Sequence, residues 1–148
     1  MVTNGRGDRR TEILDSAAAL FAAKGVNGTT VREIADEVGM LSGSLYHHFG
    51  SKDEMVEAIL TSYVDGILAR YAEIGEASPR ERLAALIHAS IEIACQQPHA
   101  TEIYQANARQ LSALAPAAVS EGAMKIQQTW LAAITAGVEA GELRSDVD

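Results

Sequence analysis

Two groups of side chains in this sequence could do chemistry, and they point to different kinds of protein. The first is a run of small residues and donors, Ser42, Gly43, Ser44, Tyr46 and His47, flanked by Thr30, Arg32 and Lys52. Hydroxyl, phenol, imidazole, guanidinium and ammonium groups all donate to anionic oxygen, and small residues let a backbone approach base edges closely, so this set suits a nucleic acid. The second group is His88, Cys95 and His99, which could suggest a nucleophile with its base, or a metal site. Its spacing argues against that. His88 and Cys95 can share a helical face, but Pro98 interrupts before His99, and no carboxylate is placed to orient a base. A buried, inert Cys95 is the expectation. His47 and His48 are adjacent, so on a helix they diverge by about 100° and do not chelate one ion. The reading is therefore of a protein that is not an enzyme and has neither a metal site nor a cofactor.

The first group has to be held by short elements, and the sequence supplies them. Val31, Ile34, Ala35 and Val38 make the apolar stripe of a short helix, Gly39 supplies a turn, and a second short helix spans roughly Ser42 to His48 with Leu45 and Phe49 facing inward. Two helices of about two turns joined by a glycine turn are the geometry that lays the second helix in a major groove. Upstream, Ile13, Ala17, Leu20 and Phe21 mark a first helix that Gly25 closes. Three hydroxyl residues followed three positions later by Glu predict helix starts with capping boxes: Thr30 with Glu33, Ser51 with Glu54, and Ser78 with Glu81, the last reinforced by Pro79. Thr30 and Lys52 are expected to clamp phosphates on either side of the helix pair.

Beyond Ser51 the helical period continues without any strand pattern. Val56, Ile59, Leu60, Tyr63, Val64, Ile67, Leu68 and Tyr71 predict one helix of five or six turns. Leu83, Leu86, Ile87, Ile91 and Ala94 give the next, a further helix runs from Pro98 to about Ala113, and Val119, Ala123, Ile126, Trp130, Ile134 and Val138 give the last, closed by Gly141. The fold class expected is all-α, with about seven helices: a three-helix DNA-binding domain over residues 1–52 and a helical effector-binding and dimerisation domain over residues 53–148.

Composition narrows the setting. The net charge of −8 looks unsuited to DNA until it is divided: residues 1–52 carry six basic and six acidic side chains, and all the net negative charge lies beyond them. No apolar run approaches the ~20 residues of a membrane span, and the single cysteine excludes an internal disulfide framework, so a cytoplasmic, nucleoid-associated protein without membrane contact is expected.

The segment from Thr30 to Lys52 resembles the DNA-binding domain of TetR-family transcriptional repressors. The matching elements are Thr30, Ile34, Ala35, Gly39, Leu45, Tyr46, His48, Phe49, Ser51 and Lys52. The resemblance implies that Thr30, Tyr46, His47 and Lys52 contact phosphates, and that exposed positions such as Ser42 and Ser44 read bases. One departure stands out: where the family commonly has Ser then Lys before the glycine, this chain has Leu41 and Ser42. The string from Leu41 to Phe49, with Ile103 to Leu111 and Gln127 to Trp130, is similar to the actinobacterial repressors of sterol (cholesterol) ring degradation. That subgroup implies release from operator DNA by a coenzyme A thioester of a ring fragment.

For the effector, Tyr63, Ile67, Tyr71, Tyr104, Asn107, Arg109 and Trp130 combine aromatic walls with a few polar groups, the make-up of a small-molecule site. The same residues at helical spacing would also serve as core, and Arg109 as a solvated charge. Binding a pseudo-palindromic operator requires a homodimer. Family members commonly pair through two helices lying further along than this chain extends, so the sequence reads as C-terminally truncated, with Leu143 to Asp148 as a linker, or as pairing through the Trp130 helix. A helical protein-interaction module that binds no DNA is the alternative.

Overall fold

A computed structural model describes residues 5–107 and 117–146, and every regular element in that range is an α-helix. They are α1 (Gly5–Lys24), α2 (Val31–Glu37), α3 (Ser42–Leu45), α4 (Lys52–Ala72), α5 (Pro79–Gln96), α6 (Pro98–Asn107) and α7 (Ala117–Glu139). The boundaries follow from local chemistry. Gly25 takes φ 75°, a left-handed conformation that suits glycine, and its amide bonds to Phe21 at 2.8 Å, so α1 stops where expected. Thr30 with Glu33 and Ser78 with Glu81 close full capping boxes. The third start is one-sided: Ser51 accepts the Glu54 amide, but the Glu54 carboxylate takes the Gly50 amide at 2.7 Å instead of returning to Ser51.

One core runs through the described residues. Ile13, Ala17 and Phe21 of α1 meet Ile34 and Ala35 of α2, Leu45 and Phe49 after the turn, and Met55, Ile59 and Leu60 at the start of α4. The same cluster continues through Val64, Ile67 and Tyr71 into Leu86 and Ile93 of α5, Ile103 of α6, and Val119 and Ala133 of α7. Helix α4 is the spine, packing against α1 at its beginning and against α5, α6 and α7 along its length.

The last helix keeps most of its expected stripe, with Val119 buried and Ala123, Ile126 and Trp130 half-buried against the core; Ile134 is the exception. The buried line of the helix is Val119, Gly122, Ala133 and Gly137, whereas Ile134 is 42 % exposed. The reason is close approach: a Cβ at Gly122 would collide with Val64 Cγ1, and one at Gly137 would collide with Leu143. Close packing of α7 on α4 at Gly122, and of the following Leu143 on Gly137, thus selects small residues there, and the bulkier Met124, Leu131 and Ile134 face outward.

Candidate nucleic-acid interface

Helix α2 is fixed from both ends. Thr30 Oγ1 accepts the Glu33 amide and the Glu33 carboxylate accepts the Thr30 amide at 2.8 Å, while Lys24 at the end of α1 donates to Glu33 at 2.7 Å. The Lys24 hydrogen bond first, then those from Thr30, draw the Glu33 carboxyl down from 4.5 to about 2. A native pKa below that of the unfolded chain stabilises the fold above about 4.5, and this contribution is lost as pH falls toward about 2. Acid titration of unfolding should therefore show the wild-type chain weakening through that window, with a shallower decline for Glu33→Gln.

At the other end, Gly39 takes φ 65° and the Met40 amide reaches back to the Ala35 carbonyl at 2.9 Å, which turns the chain sharply into α3. Regular α-helix covers only Ser42–Leu45, shorter than the span to His48 expected from sequence. His47 and His48 instead donate to Ser44 and Leu45, three residues back, and the segment winds tighter before Phe49 enters the core. Leu45 and Phe49 are buried, so Gly43, Ser44, Tyr46 and His47 all face solvent, with Ser42 half-buried. The expected reading surface is thus exposed on either side of the buried Leu45, with Ser42 at its half-buried edge.

The flanking residues differ in their availability. Arg32 is strongly exposed and only loosely paired with Asp36, at 3.8 Å. Thr30 is exposed, although its hydroxyl already serves the cap. Lys52 is more than a solvated helix start: its ammonium donates to the carbonyls of Val26 (2.8 Å) and Thr29 (2.6 Å), tying the α1–α2 loop to α4. An ammonium has three donors, and these two bonds use two of them.

Three residues of this scaffold escaped the sequence reading. Arg9 donates to the Val38 carbonyl at 2.7 Å, bracing the turn between α2 and α3 from α1. Arg10 lies with its guanidinium carbon 4.5 Å from the Phe49 ring centroid. Buried Thr29 donates to the Gly25 carbonyl at 2.9 Å. Only a basic pair before an amphipathic helix hinted at the two arginines; their partners lie about 30 to 40 residues away in sequence and carry no local signal.

In the body, the residues singled out for an effector form two linked groups. The Tyr63 and Tyr104 rings meet at 5.3 Å between centroids and 49° between planes, and burial pushes both phenols up. The Tyr71 hydroxyl accepts from Trp130 Nε1 at 2.9 Å and lies 2.6 Å from Ser90 Oγ, which donates to the Leu86 carbonyl. Ile67 is buried between these groups on α4. The side chain of Asn107, and Arg109 altogether, lie outside the described residues. A cavity of about 580 Å³ opens elsewhere, where α1 and α4 meet the α5–α6 corner, lined in part by Arg10, Leu14, Ile59 and His99 and by none of Tyr63, Ile67, Tyr71, Tyr104 or Trp130. Cys95 is exposed, contrary to the buried position expected. Among the described residues no cluster of His, Cys, Asp or Glu could hold a metal, and no helix is long and apolar enough to cross a membrane.

Residues 13–59, the stretch from α1 through the reading surface into α4, match the family of bacterial regulatory proteins of the tetR type. Residues 76–148 match the tetracyclin repressor-like C-terminal domain. The chain belongs to the TetR family. Its TetR-type similarity spans both parts of the fold: the transcriptional repressor KstR2 of Rhodococcus jostii is 43 % identical over 149 residues, covering 99 % of this chain and 73 % of that protein. The structure of the ketosteroid transcriptional regulator KstR2 of Mycobacterium tuberculosis superposes with a TM-score of 0.85 at 41 % identity, over 95 % of this chain and 73 % of that one. A further similar structure, AibR in complex with isovaleryl coenzyme A and operator DNA, reaches a TM-score of 0.77 at 27 % identity, over 92 % of this chain and 75 % of that one. The expected all-α architecture, the family and the sterol-repressor subgroup agree with these likenesses, and they point to a regulator instead of an enzyme.

Proposed function

We propose that this TetR-family chain is a cytoplasmic repressor that binds a pseudo-palindromic operator as a homodimer and is released by a small apolar effector, an acyl-coenzyme A thioester from sterol breakdown. The observation that carries the reading is the exposure of Gly43, Ser44, Tyr46 and His47 beside a Leu45–Phe49 anchor that is fully packed. Ser42, Gly43 and Ser44 read base edges; Thr30, Arg32, Tyr46, His47 and the third donor of Lys52 hold phosphates on either side. The names of the KstR2 relatives and the ligands of AibR support the effector class and the DNA partner.

The effector is assigned to the body around Tyr63, Ile67, Tyr71, Tyr104, Asn107, Arg109 and Trp130, with Arg109 offering a fork for a thioester phosphate. A ligand there must open the aromatic pairs that join α4 to α5, α6 and α7, and α4 is also the helix anchored in the reading head by Lys52. Repacking along α4 would change the spacing of two heads, and the ligand shifts that balance only by its difference in affinity for the two states. Exposed Ile87 and Ile91 on α5 and Leu131 and Ile134 on α7 provide apolar surface that a second copy can cover.

Recognition helices of a two-fold dimer meet half-sites one turn apart, roughly 34–36 Å. Sequences selected from random duplex DNA should therefore show an inverted repeat, and inserting about five base pairs between its halves, half a helical turn, should reduce binding by well over tenfold. Retention that ignores this insertion would contradict the dimeric reading. Addition of a sterol-ring acyl thioester should release the DNA, whereas a chain that retained no duplex at any salt concentration would be an interaction module of another kind.

A further inference from the structure

The most exposed large apolar residue among the described residues is Leu41, at 79 %, and it stands at the front of the reading surface. Its neighbours in type behave differently: in the same head Ile34 and Leu45 are 0 % exposed, Phe49 1 % and Val38 7 %. Leu41 occupies the N-cap of α3, where Ser, Thr, Asp or Asn would accept a helix amide; its side chain makes no such bond. Neither core packing nor capping accounts for a leucine there. Its backbone is already fixed, since the Leu41 carbonyl accepts the Ser44 and Leu45 amides at 2.9 and 3.1 Å, so the side chain projects from a rigid point. Beside it Gly43 has no side chain, and the space where one would stand is open, which leaves the groove-facing surface around Leu41 low.

A major groove offers polar donors and acceptors on every base pair but only one apolar feature, the C5 methyl of thymine. The geometry points to Leu41 as a specificity-determining residue that packs on a thymine methyl in each operator half-site, while Ser42 and Ser44 serve the polar edges. The assignment rests on the repressor reading above and adds to it one base position and the residue that reads it.

The experiment uses the full chain and operators selected from random duplex DNA. Each conserved thymine is replaced in turn by uracil, which deletes the methyl and leaves base pairing intact. At one position per half-site the wild-type chain should lose about three- to fivefold in affinity, the scale of one buried methyl group. Leu41→Ala should bind more weakly yet be indifferent to that same thymine-to-uracil change, and sites selected by Leu41→Ser should no longer favour thymine there. Both variants should melt with the wild type, because the side chain is in solvent. The inference is overturned if uracil is tolerated at every position, or if Leu41→Ala keeps the full discrimination. In either case operator binding itself persists, so the repressor reading survives; a wild-type chain that binds no DNA overturns both.

Discussion

Replacing Phe49 by alanine should destabilise the chain by about 3–5 kcal/mol, the range for emptying a large aromatic site in a core. Phe49 is 1 % exposed, among the largest fully buried side chains, and the Arg10 guanidinium rests on its ring. It is also where the reading segment returns to the interior after the tightened turn at His47 and His48. With about 2–4 °C of melting temperature per kcal/mol for chains of this size, the midpoint should fall on the order of 10 °C. Thermal unfolding followed by circular dichroism checks this, with Phe49→Leu as the control that keeps most of the buried volume and loses less. A drop below about 1 kcal/mol would mean that the segment is not held by the core as described.

Ser44→Glu should have the opposite profile: operator affinity lower by about a hundredfold or more, with stability within about 0.5 kcal/mol of wild type. Ser44 is exposed, and its position three residues into α3 from Leu41 is one where an acidic side chain is compatible with the free amides and positive end of a helix. Nothing in the fold resists the substitution. A carboxylate on the groove-facing surface, however, meets phosphates of like charge in both half-sites, and Ser44→Ala, which adds no charge, should weaken binding far less. Fluorescence anisotropy on a selected operator distinguishes the two. Near-wild-type affinity for Ser44→Glu would place the DNA contact on some other surface.

Those two substitutions sit five residues apart in the chain yet separate folding from recognition, and their residues differ in how much of their role the sequence disclosed. Leu45 and Phe49 were legible as inward because apolar residues at i and i+4 have few alternatives on a short helix. Ser42, Gly43, Ser44, Tyr46 and His47 followed as the remaining face, and the structure exposes all but Ser42, which is half-buried. Lys52 was legible as a basic residue beside a helix start, but its bonds to Val26 and Thr29 were not, because they join residues 26 and 23 positions apart. The aromatic residues of the body showed the same limit. Their helical spacing placed Tyr63, Tyr71 and Trp130 on buried or half-buried faces, but the chain Trp130 to Tyr71 to Ser90 depends on how α4, α5 and α7 cross.

By itself the sequence determined what is set within a few residues: the seven helical stretches among the described residues, the glycine turns at Gly25, Gly39 and Gly141, two of the three capping boxes, and the polar face of the reading helix. Each of these depends on backbone sterics or on side chains three or four residues apart, and local propensity expresses them directly. The tertiary structure alone decided that Gly122 and Gly137 are the closest-packed positions of α7 while Ile134 is exposed, that Arg9 and Lys52 brace the head, and that Leu41 is left in water. Helix crossings are selected by whether side chains from distant segments fit together, as Gly122 fits under Val64, and that complementarity is a property of pairs that no single stretch of sequence contains.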